Sequence, residues 1–180
     1  MATEPQELDA EELLALAKHE LQRGELEDAL GKLKRLVSRK QPPGDAHAVI
    51  ARAYAQLGLM DRAQGAFKKY LEQHPDSAHE TFELGVTYFD QGKNDKAMEY
   101  WQRVLKLQPT HPPALFFSAA AMSRTGQAAD ARRQLDVLFK SAPADNLYVE
   151  RGRDLLKALE GEQMPGAAEQ PAPATPYRGH

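Results

Sequence analysis

His79 and Glu83 stand four residues apart, a spacing that brings two side chains together on one side of a helix. Both are metal-ligand types, yet two donors fall short of the three or four that a zinc site takes. The other histidines, His19, His47, His74, His111 and His180, form no spaced set with carboxylates. Cysteine is absent, which excludes a disulfide framework, a thiolate site and a thiol nucleophile. The sequence holds no G-x-S-x-G, P-loop, dinucleotide fingerprint or H-E-x-x-H. The 26 acidic residues offer no pair set apart for acid–base work. The expectation is a protein that is not an enzyme and takes no metal or cofactor.

A chain without chemistry of its own has to act through its surface. Hydrophobic residues make up 42% and charged residues 27% of the 180 positions, a globular composition. The net charge is −3, so nothing general points to nucleic acid or to an anionic membrane surface. The densest basic run, "KLKRLVSRK" at 32–40, reads as a solvated outer helix face, with Leu33, Leu36 and Val37 turned inward. The opening "MATEPQELDAEELLALAKHE" lacks a basic segment followed by an apolar run, so no secretory signal is expected. The apolar run from Leu115 to Met122 is far too short to span a bilayer. A cytoplasmic protein without membrane insertion is the expectation, and the alanine-rich helices hint at a bacterial source.

What must position the surface is a repeat. Gly24, Gly58, Gly92 and Gly126 recur every 34 residues. Ala29, Ala63, Ala97 and Ala131 keep the same spacing, as do Pro75, Pro109 and Pro143. An apolar pattern at helical spacing precedes each glycine, which ends that helix in the left-handed conformation. A second amphipathic run follows, and proline stops it. The alanine marks where two helices approach too closely for a larger side chain. Ser77 with Glu80 has capping-box spacing, and Asp9 with Glu12 is a looser version.

On these residues the chain resembles the tetratricopeptide repeat (TPR) family. Leu84, Gly85, Tyr88, Gly92, Ala97, Trp101 and Pro109 match its motif best; Ala51, Tyr54, Gly58, Ala63, Phe67 and Pro75 form a second copy. The outer copies are weaker, with Gln41 where the first would have proline. The resemblance implies an all-α fold: a right-handed α-solenoid of four TPR-like helix pairs plus a C-terminal capping helix. The repeats would run 10–43, 44–77, 78–111 and 112–143, after a flexible stretch at 1–9. The capping helix would fill 144–161, with Asp145 as its cap and Tyr148, Gly152, Leu155 and Leu159 on one side. The Pro- and Ala-rich tail at 162–180 is expected to be disordered.

The resemblance also sorts the aromatics. Leu84, Tyr88 and Trp101 fall at packing positions, whereas Tyr100 has no packing role and is open to partial exposure. Phe82, Val86 and Phe89 form a separate stripe that the family register turns toward the concave groove. The same register gives Leu14, Lys18 and Leu21, then Arg52, then Phe116 with Phe117 beside it. Two readings stay open for the phenylalanines: packing between helices, or an apolar strip for a peptide segment.

The function implied is a non-enzymatic protein–protein interaction module or adaptor. It would bind an apolar or amphipathic peptide in the groove, with Lys18 and Arg52 orienting an acidic flank. The alternatives are a TPR chaperone of the secretion type for a client protein, and a scaffold that self-assembles as a homo-oligomer. The clamp that some TPR domains use for chaperone tails is poorly matched, since His79 and Glu83 occupy places that would need basic residues.

Overall fold

A computed structural model describes residues 8–161. Residues 1–7 and 162–180, which hold most of the expected flexible N-terminus and all of the expected tail, lie outside the described residues. The rest is helical: α1 (Ala10–Gln22), α2 (Leu26–Val37), α3 (Ala46–Gln56), α4 (Met60–Gln73), α5 (Ala78–Asp90), α6 (Asn94–Leu107), α7 (Pro112–Arg124), α8 (Ala128–Ser141) and α9 (Leu147–Gly161). No strand occurs among the described residues. Two compact units are formed, with α1 to α4 in the first and α5 to α9 in the second.

Each helix pair closes through the same turn. Gly24, Gly58, Gly92 and Gly126 have φ between 71° and 78°, and no other described residue has positive φ. That conformation costs an L-residue about 1–2 kcal/mol. It lets the next residue's N–H reach back five positions. Glu25 donates to the Glu20 carbonyl, Leu59 to Tyr54, Lys93 to Tyr88 and Gln127 to Met122, all at 2.8–2.9 Å. These are Schellman bonds, and they satisfy carbonyls that a helix end leaves orphaned. At the far end of the pair, proline acts one residue ahead of itself. It disfavours the α region at the residue before it. His74 and Gln108 cap α4 and α6 with ψ of 64° and 84°. Each of the four periodic alanines is fully buried.

The caps differ from the sequence expectation. Asp9 forms a complete capping box: its carboxylate accepts from the N–H groups of Glu11 and Glu12, and Glu12 accepts from Asp9 N–H. Ser77 makes no side-chain bond to the helix backbone. Its hydroxyl donates to the Glu80 carboxylate instead. In the C-terminal helix the capping oxygen belongs to Asn146, which accepts from Tyr148 N–H at 2.9 Å, and not to Asp145.

In the first unit, Leu13, Leu14, Ala17, Leu30, Leu33, Leu36, Val49 and Ile50 share one core. In the second, α9 lies against α7 and α8. Its Gly152 sits where a Cβ would come within 3.0–3.2 Å of Phe139, Leu135 and Leu138. The tightest approach joins α5 to α6. A Cβ on Gly85 would stand 2.4 Å from Trp101 Nε1 and 2.8 Å from Cδ1. The indole is fully buried there, and its N–H donates to the Phe82 carbonyl at 3.2 Å.

Gly85→Ala is expected to destabilise the protein by about 1–3 kcal/mol through overpacking. Gly65, which has open space around a built Cβ, is the control. Gly65→Ala is expected to stabilise by roughly 0.5–1 kcal/mol through helix entropy. Urea unfolding followed by circular dichroism measures both, and equal effects would remove the packing explanation.

Candidate protein-binding face

Trp101 seeds a cluster of rings. Its indole lies 6.3 Å from Phe82, 5.5 Å from Phe89 and 5.6 Å from Phe117. Phe117 meets Phe82, Phe89 and Phe116 edge-on at 5.6, 5.8 and 5.3 Å. Phe116 reaches Tyr148 of α9 at 5.8 Å. Edge-to-face pairs at such separations contribute about 0.5–1.5 kcal/mol each beyond area burial.

The candidate phenylalanines lie at different depths. Val86, Phe89, Phe116 and Phe117 are buried, and Phe82 is half-buried. The rings are core members first, and only their rim meets solvent. Ala120 and Ser123 are half-exposed beside them. Tyr100 is also half-buried and stacks on Tyr88 at 5.4 Å.

The remaining candidates belong to the first unit. Leu14 is a buried core residue, and Leu21 is half-buried against the same core. Lys18 is exposed and ion-paired with Asp45 at 3.0 Å. Arg52 is half-buried on α3. Within that unit the basic run contributes one partly buried pair, Lys32 with Glu20 at 2.6 Å.

Two arginines that the sequence pattern did not single out cap the ring cluster. The Arg124 guanidinium stands 3.8 Å above the Phe89 ring centre. Arg151 stands 4.9 Å above Phe116, with Phe117 and Tyr148 at 5.9 and 6.0 Å. Burial pushes the Arg124 pKa down, and nearby Asp90 pulls it back up. Burial raises the Asp90 carboxyl pKa, against the opposing pull of Arg124. The Tyr148 hydroxyl is likewise raised by burial and lowered by Arg151. Sequence spacing does not show these contacts, because each arginine lies over a ring of another helix: Arg124 of α7 over Phe89 of α5, and Arg151 of α9 over Phe116 of α7.

A third donor does join His79 and Glu83. The ligand atoms of His79, Glu80 and Glu83 lie within 4.8 Å of one another. They occupy the first turns of α5, where the helix dipole disfavours a cation. Ser77 bonds Glu80, and His79 Nε2 is 3.6 Å from Glu83. His111, at the start of α7, has a structural role. Its Nδ1 accepts the Ala114 N–H at 3.2 Å as the N-cap, and its ring packs on Phe82 at 5.5 Å.

Tetratricopeptide repeat profiles match residues 14–78, 49–112 and 88–151. The chain belongs to the tetratricopeptide repeat family. The TPR segment is similar to two curated proteins. One is a probable biofilm formation methyltransferase WspC of Pseudomonas putida, 36% identical over 86 residues, which are 48% of this chain and 20% of that protein. The other is a CTR9 homolog of Arabidopsis thaliana, 31% identical over 93 residues, which are 51% of this chain and 8% of that protein. The chain thus spans only a small part of either relative. Among solved structures, MamA superposes with a TM-score of 0.70 at 20% identity, covering 81% of each chain. The thermophilic TPR protein TTC0263 of Thermus thermophilus gives 0.69 at 24% identity, covering 84% of each. These likenesses establish the all-α TPR solenoid fold. No described helix is long and apolar enough to cross a membrane.

Burial of His111 is expected to make stability depend on pH. Burial lowers the His111 pKa, and neighbouring His79 lowers it further; His47 is also lowered, chiefly by burial. The unfolded chain therefore binds more protons, so stability is full above the free imidazole range near ~6.5 and falls as pH drops through it. His111→Asn keeps an acceptor for Ala114 N–H without a titrating ring. Thermal melts at pH 7.5 and pH 5 are expected to show a smaller drop in Tm for this variant than for the wild type; an equal drop would refute the cap's role.

Proposed function

We propose that the chain is a non-enzymatic protein–protein interaction module that holds an amphipathic segment of a partner on the α5–α7–α9 face. The single observation that carries this reading is the ring cluster itself. It runs from the buried Trp101 through Phe82 and Phe117 to Phe116 and Tyr148, and it surfaces at Phe82 and Tyr148. Val86, Phe89, Phe116 and Phe117 supply a rigid floor. Phe82, Tyr148 and Ala120 supply the accessible apolar contact, with the Ser123 hydroxyl beside them. A rigid aromatic floor lowers the entropy lost on binding, the usual limit on affinity. Membership of a family built from stacked helix pairs supports the same reading, since such arrays present extended binding surfaces. In the first unit, Lys18 and Arg52 would receive an acidic group of a partner.

A photo-crosslinking residue placed at Ala120 or Ser123 tests this. Expressed in the chain's own cells, both positions are expected to capture a partner protein. Glu99 and Gly65, exposed on second helices, are expected to capture none. Equal capture at all four positions would overturn the assignment. Capture of a second copy of this chain would instead favour a self-assembling scaffold.

A further inference from the structure

Within the proposed binding face, we infer that Arg124 and Arg151 are recognition posts for carboxylates, so that the partner segment is an acidic amphipathic helix; this rests on the reading above. Three observations carry it. First, each guanidinium is laid over an aromatic ring, at the two shortest of the described cation–ring distances. A stacked guanidinium is held in place while its donor edge stays free, the arrangement suited to a bidentate carboxylate. Second, among the described residues neither arginine has a carboxylate within ion-pair distance; Arg62 and Arg103 share this, but lie over their rings at the longer distance of 5.8 Å. A chain of net charge −3 has acidic groups to spare and places none within ion-pair distance of these two cations. Asp90 approaches Arg124 closely enough to act on it electrostatically, and it is the one local competitor.

Third, the spacing fits a helix. Phe116 holds the register of Phe82, and Phe89 lies seven positions beyond Phe82 on the same stripe. Phe117 joins the two capped rings, at 5.8 Å from Phe89 and 5.3 Å from Phe116, so they stand no more than about two helix turns apart. Acidic side chains two turns apart on a partner helix match that separation, and the apolar side chains between them meet Phe82, Ala120 and Tyr148. Such pairs are charge-assisted hydrogen bonds on a low-dielectric floor, where they are stronger than on open surface.

The test is selection from a display library of random short peptides on the full chain at physiological salt. Recovered peptides are then synthesised and titrated by fluorescence anisotropy. The expected result is enrichment of Asp and Glu two turns apart, flanking apolar residues. Arg124→Gln with Arg151→Gln is expected to weaken such peptides at least about tenfold. Asp90→Asn, which removes the internal competitor and cannot act by unfolding a site that then binds better, is expected to tighten them about two- to threefold. Neutral or basic peptides, or acidic ones indifferent to all three substitutions, would overturn this inference and leave the binding face standing. Binding of labelled oligouridylate in place of peptides would overturn it in favour of a general polyanion site. Failure to recover any peptide would overturn the binding face as well.

Discussion

The second unit is organised around a missing carbon atom. Trp101 lies close on α5 because residue 85 has no Cβ to hold it off. From that seat the indole N–H reaches the Phe82 carbonyl and fixes the ring in one orientation. Phe82, Phe89 and Phe117 then take their positions against it, and Phe116, Tyr148, Arg124 and Arg151 take theirs against those rings. The accessible face is in this sense an outcrop of the core. Its geometry is set by a buried contact between two helices.

One set of side chains therefore serves two ends. Removing a buried phenylalanine costs about 3–5 kcal/mol, a large share of what holds a domain of this size together. A loss of binding after such a change would say nothing about recognition. The residues that separate recognition from folding are those on the rim, where a change alters charge or contact without opening a cavity. Arg124, Arg151 and the half-exposed edge of Phe82 meet that condition.

Much of the architecture was legible because it is local and repeated. The left-handed glycines, the buried alanines and the pre-proline caps each follow from one residue's own backbone or size, and each occurs at a fixed period. The caps show where local reasoning stops. Ser77 and Glu80 have the spacing of a capping box, but their side chains bond each other. Asn146 caps where Asp145 was equally suited by type. The phenylalanine stripe shows the same limit at larger scale. Its register on the helix is a property of the sequence. The burial of Phe82 and Phe89 depends on Phe117 and Arg124 of α7, and that of Phe116 on Tyr148 and Arg151 of α9. The third donor beside His79 and Glu83 is half legible in the spacing: Glu80 stands three residues before Glu83 on the same helix face, and only its approach to the adjacent His79 depends on rotamers.

The four Schellman turns have a consequence for the history of such a chain. Each turn has the same hydrogen bonds, nearly the same φ and the same spacing to the next. A genetic exchange between any two of them would splice one helix end onto an equivalent helix start, with neither a clash nor an orphaned carbonyl at the joint. Length in this chain is therefore a digital quantity, counted in whole turns of the motif. The turns are seams along which arrays can be lengthened, shortened or recombined, while new specificity is written on the faces between them.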